Sequence, residues 1–151
     1  MIDDGFAEAR ASDLRSVSIH ECAHCQVALH YGLIGRVSIV PNPKSDQLPG
    51  VDVSVLGSFN VEGADGKTRP IIALAGQCAE TFKANRRVTG PDIFAALRSE
   101  QIKLSETDRA NAGDYTERDV TESLEIVKAR WQTIVEDADR EAKAFNLKYR
   151  A

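Results

Sequence analysis

Leu14-Arg-Ser-Val-Ser-Ile-His-Glu-Cys-Ala-His-Cys-Gln-Val-Ala-Leu-His-Tyr31 is the stretch on which the reading of the whole chain turns. It contains no Gly or Pro, Ser12-Asp13 supplies a helix start and Gly32 a stop. Leu14, Val17, Ala28 and Leu29 fall near helical spacing. The stretch predicts a helix, and segment 1–12 ahead of it is expected to be a flexible N-terminus. Inside the helix, His20-Glu21-Cys22-Ala23-His24 forms an H-E-x-x-H pattern. Residues four apart on a helix are rotated by ~40° and displaced by ~6 Å. Two imidazoles at that offset can share one tetrahedral ion at ~2.0–2.1 Å from each nitrogen. Glu21 lies ~100° round from His20, so it flanks the ion instead of binding it. From there its carboxylate can take a proton from a zinc-bound water, whose pKa falls from near 16 to about 7. The plainer alternative is a solvated helix face carrying two unrelated histidines.

A catalytic zinc needs a third protein ligand and an open fourth position. His30 is the only other histidine, and six residues after His24 it points ~240° away. The third ligand is therefore expected to be a carboxylate, with Glu80, Asp92, Asp108, Asp114 and Asp119 as the choices. Spacing alone does not separate them.

Outward from this helix the chain reads as mainly helical with one small sheet. Arg36-Val-Ser-Ile-Val40 and Val51-Asp-Val-Ser-Val-Leu56 alternate and are bounded by Pro41 and by Gly50 and Gly57, which suits two neighbouring strands. A polar loop is expected over 60–69. A helix is expected from Pro70 to Ala84, another from Gly90-Pro91-Asp92 to Leu104, and a short turn after Ser105. From Thr116 to Phe145 an uninterrupted helix is expected. Its apolar residues, Val120, Leu124, Val127, Trp131, Ile134, Val135 and Ala138, keep a 3–4 spacing and make one packing face.

The 151 residues suit one domain, 1–151, of α+β class in which a zinc-binding helix packs with further helices and one small β-sheet. With 19 basic and 23 acidic residues the net charge is −4, and no basic run points to a nucleic-acid partner. No apolar run approaches the ~20 residues of a membrane span, and the acidic start lacks a secretory core. Three cysteines are too few for a disulfide scaffold, so reduced thiols and a cytoplasmic location are expected.

Ser18-Ile-His-Glu-Cys-Ala-His-Cys-Gln-Val-Ala-Leu29 resembles the H-E-A-G-H-A segment of FtsH-type zinc metallopeptidases. Val37-Ser-Ile-Val-Pro41 resembles the V-T-I-x-P strand that follows in that family, and Leu74-Ala-Gly-Gln-Cys-Ala-Glu80 its L-G-G-R-A-A-E helix. The three motifs occur in the family's order and cover roughly 13–135. The resemblance is to the peptidase domain only. The ATPase module and membrane helices find no counterpart in this chain, and no phosphate-binding loop is expected.

The resemblance implies a stand-alone, ATP-independent zinc endopeptidase for unfolded or flexible peptides, with Zn2+ on His20, His24 and an aspartate, and Glu21 as base. It also implies a substrate extended along a strand edge. In the family the aspartate is followed four residues later by alanine. Asp108 fits within Ser105-Glu-Thr-Asp-Arg-Ala-Asn-Ala112, and Asp92 within Thr89-Gly-Pro-Asp-Ile-Phe-Ala-Ala96. Asp108 is preferred, because an added helix before it is easily accommodated and Pro91 suggests a first-turn role for Asp92. Glu80 is expected to orient a ligand histidine.

Cys22 and Ala23 depart from the family's Ala and Gly. Cys22 and Cys25 form a Cys-x-x-Cys, but mid-helix and away from the helix N-terminus that lowers a thiolate pKa, so they and Cys78 read as core residues. A thiol-redox protein and a catalytically silent zinc-containing binding or regulatory module are the rival readings. Lys83, Arg86 and Arg87 read as helix-end or solvated cations.

Overall fold

The structure, a computed structural model, describes residues 4–43 and 55–149. In order these form α1 (Asp4–His30), β1 (Gly35–Pro41), β2 (Val55–Val61), α2 (Thr68–Ala84), α3 (Gly90–Arg98), α4 (Glu106–Ala112), α5 (Glu117–Ala129) and α6 (Trp131–Lys148). The chain is thus mainly helical with one small antiparallel sheet, the α+β arrangement its pattern implied.

α1 is the axis of the molecule. α2 and α6 pack along it, the sheet lies across it, and α5 touches it as well. Ser18, Ile19, Cys22, Ala23, Val27 and Ala28 are all buried. The helix begins at Asp4, so the N-terminal segment expected to be flexible is helical from Asp4 onward. Ala7-Glu-Ala-Arg-Ala11 explains this, since these are among the strongest helix formers. Its other end is as expected: Gly32 takes φ +76°, and Leu33 N–H reaches the Ala28 carbonyl at 3.0 Å, closing the last turn.

β1 and β2 pair antiparallel, from Gly35 opposite Val61 to Pro41 opposite Val55. The second strand is displaced from its expected place. Of the expected strand, 51–54 lie outside the described residues, and β2 continues through Gly57 as far as Val61. The alternation was present there too, with Phe59 and Val61 half-buried and Ser58 and Asn60 exposed.

Asp65 starts α2 two residues ahead of Pro70, its carboxylate accepting from Lys67 N–H, Thr68 N–H and the Thr68 hydroxyl. Gly66-Lys67-Thr68 does spell the end of a phosphate-loop motif, but Val61 stands where its first glycine belongs. Asp65 already occupies the N–H groups that an anion would use.

α3 stops at Arg98 instead of Leu104, closed by Gln101 N–H to the Ala96 carbonyl, with Glu100 at φ +61°. The chain then returns to α2, where Leu104 is buried and α4 begins after Ser105. The expected long C-terminal helix is broken at Arg130 (φ −106°, ψ 13°) into α5, which packs on α2 and α3, and α6, which packs on α1. One straight helix cannot lie along both partners. Arg130 donates to the Gln26 side chain at 2.9 Å, fixing the corner without Gly or Pro to signal it.

Trp131 packs against the core as its stripe implied, edge-on to Phe82 with ring centres 5.0 Å apart. Arg86 lies over both rings and so is stacked as well as solvated. No described helix is long and apolar enough to cross a membrane.

Candidate metal site

Helical geometry puts His20 and His24 on one face of α1, and α2 fixes how their rings point. His24 Nδ1 lies 2.7 Å from the Ile72 carbonyl. A carbonyl can only accept, so Nδ1 carries the hydrogen and the Nε2 lone pair is turned the other way. His20 Nδ1 lies 3.4 Å from Glu80 Oε2, which holds its ring in the same sense. Glu80 thus lies beside the His20 ring, on the nitrogen opposite the one that faces Asp108. Gln77 sits next to it: with its amide turned to donate, the nitrogen reaches Glu80 and the Lys103 carbonyl, both at 3.2 Å.

The two Nε2 atoms are 3.2 Å apart. Asp108 completes the cluster, with Oδ2 3.1 Å from His20 Nε2 and Oδ1 3.4 Å from His24 Nε2. Ligands bonded at 2.0–2.1 Å to a tetrahedral ion lie about 3.3 Å from each other. The three spacings therefore match the edges of a coordination tetrahedron. The donor chemistry fits as well: two imidazole nitrogens and a carboxylate converge, an arrangement that a positive charge stabilises, whether a central cation or a proton on His20. His20 shows the same demand. Burial works against charging it, but hydrogen bonds to Asp108 and Glu80 prevail and raise its pKa to about 10. Burial likewise opposes ionisation of Asp108, yet the hydrogen bond from His20 and the closeness of His24 hold it far below the usual carboxylate range.

Asp108 owes its position to α4. The Ser105 hydroxyl caps that helix by accepting from Asp108 N–H at 3.1 Å. The Asp108 carboxylate does not return to Ser105 but extends toward the histidines. Asp92 and Asp119 do the opposite: each closes a capping box, accepting from the N–H of Thr89 at 3.1 Å and of Thr116 at 3.0 Å. Asp114 is exposed, and His30 stands at the solvent side of α1 against Tyr31. Among the described residues, His20, His24 and Asp108 form the one group of this kind able to hold a metal ion.

Glu21 flanks the cluster, with Oε1 4.0 Å from His20 Nε2. Burial raises its pKa, against the pull of His24 and His20. That is the direction that suits a proton acceptor working near neutrality. The cluster opens into a cleft of about 550 Å³, with β2 along one wall and residues 105–111 on the other.

Four supporting features were not read from the sequence. Phe59 stacks on His24, ring centres 5.5 Å apart and planes 16° apart. The Ile72 carbonyl is invisible to residue-type reasoning. At Gly76 a Cβ would fall 2.3 Å from His20 Nε2, so the glycine lets α2 approach the ring. At Gly57 a Cβ would fall 2.7 Å from Glu21 Cγ, so β2 crosses directly against that side chain. A lone glycine inside a helix pattern and another inside an alternating run were the available signals.

Cys22 and Cys78 are buried and Cys25 half-buried, and all three are free thiols. Burial pushes Cys22 and Cys78 up to about 12. Neither has the lowered pKa that a thiol-redox site uses.

No protein-family model matches the sequence, and comparison with curated proteins also finds no match, so the geometry of these side chains is what any reading of the site stands on.

Proposed function

We propose that the protein is a zinc-dependent, ATP-independent endopeptidase of FtsH-type character that hydrolyses unfolded or flexible peptides. The observation that carries the reading is the convergence of His20 Nε2, His24 Nε2 and the Asp108 carboxylate at 3.1–3.4 Å, with Glu21 beside them at the floor of an open cleft. Zn2+ held by these three residues would supply Lewis acidity, lowering the pKa of a coordinated water and polarising the scissile carbonyl. Glu21 accepts the proton as water adds to the carbonyl carbon. It then delivers that proton to the amide nitrogen as the C–N bond breaks. Glu80 and the Ile72 carbonyl keep both imidazoles in the tautomer whose Nε2 faces the cluster. Within the described residues β2 pairs only with β1, and its residues 57–61 line the cleft, which suits the pairing of an extended peptide there.

The test is zinc analysis together with digestion of casein, an unstructured substrate. Wild type is expected to bind zinc stoichiometrically and cleave casein, and to lose cleavage on chelation. Glu21→Gln is expected to keep its zinc and lose activity by about 10²–10⁴-fold. Undiminished turnover in Glu21→Gln, or in the chelated protein, overturns the reading. Zinc binding without turnover would instead favour the silent metal-containing module.

A further inference from the structure

We propose that the cleft selects its substrate by a carboxylate and that Arg69 is the residue that reads it; the inference rests on the peptide-hydrolase reading above and names its substrate class. The floor of the cleft holds two acids, Glu21 and Asp108, both engaged with the histidines. Elsewhere its polar lining is neutral among the described residues, except for Arg69, the one Lys or Arg among them. Arg69 sits in the first turn of α2, three residues and about 4.5 Å of rise before Ile72, whose carbonyl holds His24.

The guanidinium is held but not consumed. Its Nη2 donates to the Ala64 carbonyl at 3.1 Å, which pins the head against the loop at the cleft's edge. The acid nearest in sequence on its N-terminal side, Asp65, turns one carboxylate oxygen, Oδ1, to Lys67 N–H, Thr68 N–H and the Thr68 hydroxyl instead of to Arg69. Among the described residues no acidic side chain forms an ion pair with Arg69. A guanidinium has five N–H donors in a planar fork that suits two carboxylate oxygens at once. Here most of that fork is unused and borders a cleft.

β2 sets the direction. It passes Glu21 at Gly57 and His24 at Phe59, and ends at Val61, three residues before the Ala64 carbonyl that holds Arg69. A strand advances about 3.3 Å per residue. A peptide extended beside β2, with a carbonyl at the histidines, therefore presents a group a few residues further along to Arg69. That group is an acidic side chain or the terminal carboxylate of a short peptide.

The experiment measures binding apart from turnover. Zinc-loaded Glu21→Gln protein is titrated, by fluorescence anisotropy, with unstructured labelled peptides that carry an internal Glu, the matching Gln, or a free or amidated C-terminus. The Glu peptide, or the free-acid peptide, is expected to bind about 5- to 10-fold more tightly than its neutral partner, and the advantage to shrink with added salt. Which pair separates identifies the source of the carboxylate. Arg69→Gln should abolish the advantage, Arg69→Lys keep part of it, and Arg69→Glu turn it into a preference for a Lys-containing peptide. Arg69 is exposed, so these variants are expected to fold, as circular dichroism would verify. Equal binding of acidic and neutral peptides, no binding of any, or a preference that survives in Arg69→Gln each overturns the proposal. Wild-type cleavage of casein without acid preference would do so while leaving the peptidase reading intact.

Discussion

Ser105–Asp108 and Thr89–Asp92 are the same local device put to two uses. Both begin a helix with a hydroxyl that caps the backbone N–H of an aspartate three residues on. At Thr89 the aspartate reaches back to the cap and its work is finished within one turn. At Ser105 it leaves the cap half-closed and extends to two histidines more than eighty residues earlier in the chain. Thr116–Asp119 repeats the first case. A carboxylate near a helix N-terminus is thus no indicator of a site; what its neighbours across the fold demand of it decides its role.

The strongest way to break this comparison is to neutralise the two acids separately. Asp108→Asn is expected to lower zinc affinity by at least about 100-fold, the upper end of what outer-sphere partners cost. Asp92→Asn should leave zinc binding unchanged and cost roughly 0.3–1 kcal/mol of stability, the value of a charge near a helix N-terminus. Zinc titration with a competing chelator and urea melts measure the two effects. Equal zinc affinity in both variants would erase the distinction.

The next effect concerns the surroundings that Asp108 has and Asp92 lacks. Gly76→Ala forces a methyl into the His20 ring and Gly57→Ala one against Glu21. Each is expected to cost about 1–3 kcal/mol of stability. Gly76→Ala should weaken zinc binding, whereas Gly57→Ala should lower turnover at saturating zinc. Swapped phenotypes would show that α2 and β2 do not divide the site in this way.

A smaller effect is expected with pH in the metal-free protein. His20 is raised to about 10, so its contribution to stability is complete below about pH 6.5 and vanishes as pH climbs through 10. Asp108 is depressed, so its contribution is complete above about pH 3.9 and is lost on acidification. The stability gap between chelator-treated wild type and Asp108→Asn should therefore be widest from about pH 4 to 6.5 and narrow toward 10. Zinc affinity should run the other way, rising with pH as His20 gives up its proton. The least change is expected for the thiols: native Cys22 and Cys78 should resist iodoacetamide at neutral pH, since both lie near 12. Rapid alkylation of either would revive a thiol role.

Local chemistry was legible where its cause is local. The i, i+4 histidines, the Gly32 stop, the Pro70 helix and the Ser105 turn all follow from neighbours in sequence. The periodicity of α1 was weak because partners surround it on several sides, leaving little solvent face to set a contrast. The strong periodicity over 116–145 was real but hid the corner at Arg130, since an apolar stripe continues across a bend that redirects it from α2 to α1.

The sequence by itself determined the imidazole pair and its flanking acid, because a helix fixes the relative direction of residues within one turn. Tertiary structure alone decided that Asp108, among several equivalent acids, faces the pair, that Ile72 and Glu80 orient the rings, and that glycines at 57 and 76 let a strand and a helix close in. Those outcomes depend on how separate elements pack. Packing is set by the summed burial and shape of the whole chain, which no short segment carries.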